Sequence, residues 1–345
     1  MSTNIKKERD LSFDIMNILA CISVVCLHHN GLVHTYYDTP GWRQSLVVEC
    51  VFYWAVPVFF MITGATLMNY REKYSTKEFF KKRFVRTVIP WLFWSAVTLI
   101  VNSKLGLLAF DPPTFRNALS MIFNNRVESI YWYFPQLFAC YLAIPVLSLI
   151  RDERKTLWYI VLLNFFFLSV RPVLKNWFGF SWSLDVPFVG SHIIFVILGW
   201  LLNTKMPDKK TRMWIYITGI ACLIFRFGYM LHFSVLTGVT DTTIKGYTIF
   251  HSVFYSVAVF IFLKQVNWNR LIPDKVRKII PAISACSFGI YLIHKRIMYV
   301  EMMLLGINDF YWTWRILCIP LTYLVSLAIV WLIRKIPCLK ITVGG

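Results

Sequence analysis

Runs of about 20 mostly apolar residues, separated by short basic segments, recur ten times along this chain. Their centres fall near residues 20, 57, 96, 141, 164, 195, 224, 256, 289 and 326. A backbone crossing hydrocarbon must satisfy its own N–H and C=O groups, so runs of this length and spacing dictate helices rather than loops or open sheet. The expected fold is therefore all-α: a polytopic membrane protein of about ten transmembrane helices. Composition agrees, since 57% of the 345 residues are hydrophobic and 15% are charged, with a mean hydropathy of +0.58. The fifth and sixth runs are the least regular, because Arg171, Pro172 and Lys175 cut one and Gly199 and Pro207 bracket the other.

A net charge of +19 would suggest nucleic acid in a soluble protein, but here the basic residues lie between the apolar runs, where they orient the chain in the bilayer. One set of alternate connections holds 25 Lys and Arg, the other holds 10, and Arg226 lies inside a run. A missed span would scramble this alternation, so both termini are expected in the cytoplasm, and nucleic acid is not an expected partner. Lys6, Lys7 and Arg9 before the first run resemble a signal peptide, yet no small-residue cleavage site follows between Cys26 and His34, and the first span is expected to be retained. With no internal repeat or long linker, residues 1–345 read as a single membrane domain with no appended soluble domain. The eight cysteines sit mostly in apolar runs and form no CxxC, so they read as core residues and no metal site is expected.

Polar groups at membrane depth are costly and so mark candidate sites. The first run carries Asp14, Asn17, His28 and His29. At 1.5 Å per residue His28 lies about 21 Å beyond Asp14, near the outer end of a roughly 30 Å core. Neighbouring positions point about 100° apart, so His28 and His29 cannot share one site, and one of them is expected at the interface. His34 adds a third imidazole but no metal-like spacing. In Lys81-Lys82-Arg83-Phe-Val-Arg86 the two arginines share a helix face, which suits a bidentate grip on phosphates as well as a plain topology signal. Glu49 and Glu301 could pair with a cation or orient an imidazole, and Arg226 is expected to face the bundle interior. His192, His232 and His251 read as satisfied structural residues. The stretch Trp177-Phe-Gly-Phe-Ser-Trp182 in an external loop reads as an interfacial aromatic belt or a platform for a sugar. P-loop, dinucleotide-binding, HExxH and GxSxG patterns are absent.

In order along the chain, Asp14-Ile-Met-Asn17 with His28, Pro57-Val-Phe-Phe-Met-Ile-Thr-Gly64, Lys82-Arg83-Phe-Val-Arg86 with Pro90, Tyr131-Trp132-Tyr133 with Tyr141 and Pro145, and Tyr291-Leu-Ile-His294 resemble the acyltransferase-3 family. That family comprises ten-helix membrane acyltransferases, among them enzymes that O-acetylate bacterial surface polysaccharides. Its pattern has arginine where this chain has Asn17, histidine where it has Ile130 and proline where it has Lys295.

The resemblance implies transfer of an acyl group, usually acetyl, from cytoplasmic acyl-CoA to a hydroxyl of an envelope polysaccharide or glycolipid, by a multi-pass protein of the cell membrane. Acetyl-CoA would be a donor substrate and no cofactor would be bound. His28 would be the general base, with Asp14 and Asn17 lining the path. Arg83 and Arg86, with Lys82, would hold the CoA phosphates. Glu49, Trp132 and His294 are accessory candidates. The alternative is a ten-helix carrier of a glycan or small solute that has lost the chemistry, a reading that Asn17 favours.

Overall fold

The computed structural model describes residues 10–106, 114–184, 186–190 and 192–344; among them helices are joined by short turns, with no strand. Lys6, Lys7 and Arg9, and residues 107–113 of the expected external loop, lie outside the described residues. Among the described residues, seven helical segments are long and apolar enough to cross a bilayer: Leu11–His28, Pro40–Glu72, Thr76–Lys104, Ser129–Leu147, Arg154–Phe178, Lys209–Thr237 and Cys318–Lys335. Asp274–Ser284 and Ser287–Leu305 form a further pair bent by 67°. Ile193–Thr204 and Phe250–Gln265, of 12 and 16 residues, occupy the remaining two expected positions.

The shorter of these would reach about 18 Å, well under the roughly 30 Å hydrocarbon core. Protein rather than lipid surrounds it: residues 194–202 are all buried. It is pressed against Ala55–Leu67, backbone to backbone. A Cβ on Gly64 would fall 1.8 Å from the Val196 carbonyl oxygen, and one on Gly199 would fall 2.0 Å from that of Met61. Two glycines therefore set the closest helix approach in the core, and any side chain at either would force these helices apart.

Proline shapes two spans in the same way. The expected cut at Arg171 and Pro172 does not end its span, because a π-turn, Phe166–Val170, joins Arg154–Phe165 to Arg171–Phe178. A second π-turn, Phe84–Val88, joins Thr76–Arg83 to Ile89–Lys104 just before Pro90. Proline lacks an N–H and crowds the carbonyl four residues back, and the wider turn accommodates both defects without stopping the helix.

Contacts keep the two sets of connections apart. In the basic-rich set Lys264 pairs with Asp10, Arg151 with Glu72 at 2.7 Å, and Arg154 donates to Thr204 at 3.0 Å. In the other set Thr240 donates to the Val33 carbonyl at 3.0 Å, Arg315 to Gln44 at 3.2 Å, and Arg296 pairs with Glu128. Each set thus gathers at its own end of the bundle. Arg226 faces inward as expected: its guanidinium lies 3.5 Å from Glu49, with both side chains almost fully buried.

Candidate active site

The first helix, Leu11–His28, is started by Asp10, whose carboxylate accepts from the Ser12 backbone N–H at 3.0 Å, and it carries the candidate residues along three cavities that follow one another through the bundle. The innermost has a volume of about 290 Å³ and is lined by Asn17, Arg83, Arg86, Thr87 and Ser284 among apolar and tyrosine walls. Asn17 Nδ2 reaches toward Ser284 Oγ at 3.5 Å, which leaves its amide available to the cavity. The Arg83 guanidinium carbon sits 5.8 Å and 5.7 Å from the ring centres of Phe79 and Tyr141, and these rings hold its plane.

Local sequence explains the arginine pair. Ser75 caps the helix Thr76–Arg83 by accepting from the Glu78 N–H at 3.3 Å, and the π-turn then carries Arg86 to the cavity wall. Pro90 cannot donate to the Arg86 carbonyl, and Gly344 approaches that oxygen: a Cβ there would stand 3.1 Å from it. Lys82 departs from the expected trio. It is turned toward its own helix, 3.7 Å from Glu78 and 3.9 Å from the Tyr74 ring centre, and does not line the cavity. Asp14 is buried one turn before Asn17 but lines none of the three cavities.

Val24, Val56, Tyr133 and Tyr291 wall both this cavity and the next, a chamber of about 210 Å³ that also takes in His28, Glu49 and Trp132. Leu27, His28, His34 and Trp132 are in turn shared with a third, of about 490 Å³, which Lys295 and Asp309 complete. His28 stands between the two outer chambers, and Asn17, eleven residues earlier, lies about 16 Å from it along the helix.

His29 points elsewhere, as the helical geometry requires, but it is fully buried rather than interfacial. Its Nε2 lies 2.8 Å from Thr322 Oγ1, whose hydroxyl donates to Glu301, and its ring packs 4.2 Å from Trp314. Glu301 therefore serves His29, and Glu49 serves Arg226. The imidazole brought to His28 is His294, with ring centres 5.2 Å apart. His294 Nδ1 lies 3.1 Å and 2.9 Å from the carbonyl oxygens of Ile290 and Tyr291. Carbonyls only accept, so Nδ1 carries the proton and Nε2 the lone pair, and among the described residues that buried Nε2 has no partner.

Of the three histidines expected to be satisfied, His251 is: it bonds the Ile244 carbonyl at 2.9 Å and Ser252 at 3.2 Å. His232 is exposed. His192 differs, since it is buried against Phe60, Trp132 and Tyr247 and neither ring nitrogen finds a partner among the described residues. In the 177–182 stretch Trp177 donates to the Tyr229 hydroxyl at 3.0 Å, while Phe178 and Phe180 are exposed.

Tyr53, Tyr247, Lys245 and Asp309 also line the outer chambers, and none of them stands out in the sequence. These sit on separate segments, and no spacing within one segment announces them. Lys295 was visible as a departure from a family pattern, and its place in the third chamber gives that departure a location.

The fold and site thus define a polytopic helical membrane protein with a cationic cavity toward one end and an imidazole between two chambers toward the other. The chain belongs to the acyltransferase-3 family, whose model, described as an acyltransferase domain, matches residues 10–333. It is also similar to nodulation protein NolL of Sinorhizobium fredii (strain NBRC 101917 / NGR234), at 24% identity over 225 residues that cover 63% of this chain and 57% of that protein. The chain thus spans little more than half the length of that curated relative. No solved structure matches it.

Proposed function

We propose that this protein is a cell-membrane O-acyltransferase that moves an acetyl group from cytoplasmic acetyl-CoA to a hydroxyl of an envelope polysaccharide or glycolipid, with both of its termini in the cytoplasm. The observation that carries this reading is the series of three cavities with shared walls, arginines at one end and His28 at the other. Arg83 and Arg86 hold the CoA phosphates, and the pantetheine arm follows the first helix past Asn17.

His28 removes the proton from the acceptor hydroxyl as its oxygen attacks the thioester carbonyl carbon. Asn17 Nδ2–H is positioned along the donor path to steady the thioester. The C–S bond breaks, the proton on His28 passes to the departing thiolate, and the products are the O-acetyl ester and free CoA. His294 packs against the His28 imidazole, with ring centres 5.2 Å apart, and holds that ring in place as the base. The arrangement needs no charge to cross the bundle, because the anionic head of CoA remains at the arginine end.

A carrier is the second reading. Asn17 in place of the family arginine favours it, as do cavities that follow one another through the bundle. Membranes containing the chain, supplied with radiolabelled acetyl-CoA, separate the two. Label in an envelope glycan that vanishes in His28→Ala supports the transferase. Glycan flux without any label in well-folded protein transfers the case to the carrier.

A further inference from the structure

The outer chambers contain more positive charge than their own carboxylates consume. Glu49 is taken by Arg226 at 3.5 Å, and Glu128 by Arg296. Lys295, half-buried in the largest chamber, lies 5.3 Å from the Tyr299 ring centre, and Lys245 donates toward His34 Nδ1 at 3.4 Å beside the smaller one. Neither lysine has a carboxylate within ion-pair distance among the described residues. Asp309 also lines the large chamber, but its Oδ1 accepts from Trp314 Nε1 at 3.0 Å. Its carboxylate is packed on Gly31, where a Cβ would meet Oδ2 at 2.2 Å, so it stays at the rim and offsets at most one of the two cations. For Lys295 a half-buried ammonium without a counter-charge is costly, and a bound anion would remove that cost; Lys245 is exposed and adds positive charge to the lining of the smaller chamber.

The same space has a rigid aromatic wall. Trp132 is nearly parallel to Tyr247 (ring centres 5.4 Å apart, 14° between planes), and Tyr247 to Tyr53 (4.2 Å, 13°). The Arg226 guanidinium carbon sits 3.5 Å from the Tyr53 ring centre and ends the stack. An ionic foot and two tyrosines therefore fix the plane of Trp132, the member of the stack that borders both outer chambers. A flat indole face suits the C–H face of a sugar ring, with polar groups placed around its edge.

We infer that the outer chambers form a subsite for a sugar ring carrying an anionic substituent, the ring stacked on Trp132 and the anion held by Lys295 and Lys245. The acceptor is then an acidic saccharide, and the anion docks beside the hydroxyl that faces His28. This inference deepens the transferase reading and rests on it. Two chemistries supply such an anion, a carboxylate on the ring or a phosphate ester, and the probes below distinguish them.

The test is calorimetric binding to the purified full chain in detergent, without acyl-CoA, using a glucuronic acid disaccharide, glucose 1-phosphate and a neutral glucose disaccharide. At least one acidic probe should bind about tenfold or more tightly than the neutral one, and less so as salt rises. The preferred probe names the anion. Lys295→Gln combined with Lys245→Gln should erase the preference while leaving neutral-probe affinity within about twofold, and Lys295→Arg with Lys245→Arg should restore it. These lysines anchor no ion pair, so their removal leaves no orphaned charge inside the bundle. Trp132→Leu should weaken every probe. Equal binding of acidic and neutral probes, or a preference that survives the double glutamine variant, overturns the inference. Acetyl transfer by the same preparation is read separately: transfer to a neutral saccharide alone sinks the acidic subsite and spares the transferase, whereas acidic-probe binding without transfer from any acyl-CoA does the reverse.

Discussion

The inner cavity and the outer chambers are built in opposite ways. The inner one draws its charge from a single stretch, Arg83 to Arg86, set by a serine cap, a π-turn and a proline. The outer chambers take their polar groups from scattered places: His28, His34, Glu49, Trp132, Lys245, Lys295 and Asp309. Phosphates demand fixed positive charge and little shape, so one helix turn suffices to bind them. A saccharide has to be met on several sides, which only a folded bundle provides. Under the proposed function, the local motif takes the acyl donor and the assembled chambers take the acceptor.

The sharpest way to break that division is His28→Ala. Transfer should fall about 10³-fold while acetyl-CoA binding stays close to wild type, because a general base contributes roughly 10²–10⁴-fold and touches no phosphate. An equal loss in donor binding, measured by calorimetry on the same sample, would merge the two halves into one site. Next comes the buried pair under the aromatic stack. Glu49→Gln leaves Arg226 unpaired in the interior, at a cost of about 3 kcal/mol, visible as a large drop in melting temperature in detergent. Glu49→Leu with Arg226→Met should recover most of it. If Glu49→Gln melts like wild type, the stack has no ionic foot and Trp132 is held by other contacts.

Within the inner cavity, Arg83→Ala and Arg86→Ala should each raise the KM for acetyl-CoA about tenfold with kcat little changed, as expected for a charge-assisted bond lost equally from ground and transition states. Lys82→Ala should move it by less than about twofold, since its half-buried ammonium is spent on Glu78 and Tyr74. A lysine effect as large as that of the arginines would mean that the cavity mouth extends across Lys82.

Much of the fold could be read from the sequence because a bilayer leaves few choices: apolar length forces helices, and basic residues mark alternate connections. The ten centres each fall on a helix, including the short Ile193–Thr204. Length could not tell that this helix is buried in protein, nor that Gly64 and Gly199 bring two backbones together, because Gly64 meets Val196 and Gly199 meets Met61, far apart in the sequence. Pro172 misled in the other direction, as a π-turn absorbed it. At the site, Arg83 and Arg86 on one helix and Asn17 and His28 on another were legible from their spacing, whereas Asp14 and His29, equally polar, line none of the three cavities. Lys82 was not separable from its neighbours until its side chain was placed, and the Tyr53–Tyr247–Trp132 stack joins three segments with no common pattern.

The smallest expected effect concerns His34, at the boundary of both outer chambers and outside the first helix. Although His34 is exposed, desolvation by the surrounding chamber walls and then the neighbouring Lys245 ammonium lower its imidazole below the ordinary range, with Glu49 and Asp309 opposing. A histidine whose folded pKa is depressed is neutral in the folded protein near pH 7, while in the unfolded chain it takes up a proton as pH falls through about 6.5. Stability should therefore be unaffected by His34 above that pH and decline below it, until the folded imidazole also protonates. His34→Gln should flatten this part of a melting-temperature profile between about pH 7 and 5. Lys245→Gln removes one of the two causes and should weaken the slope by less. A steeper acid loss in His34→Gln than in wild type would mean that the imidazole is held charged, with Glu49 or Asp309 rather than Lys245 as its governing neighbour.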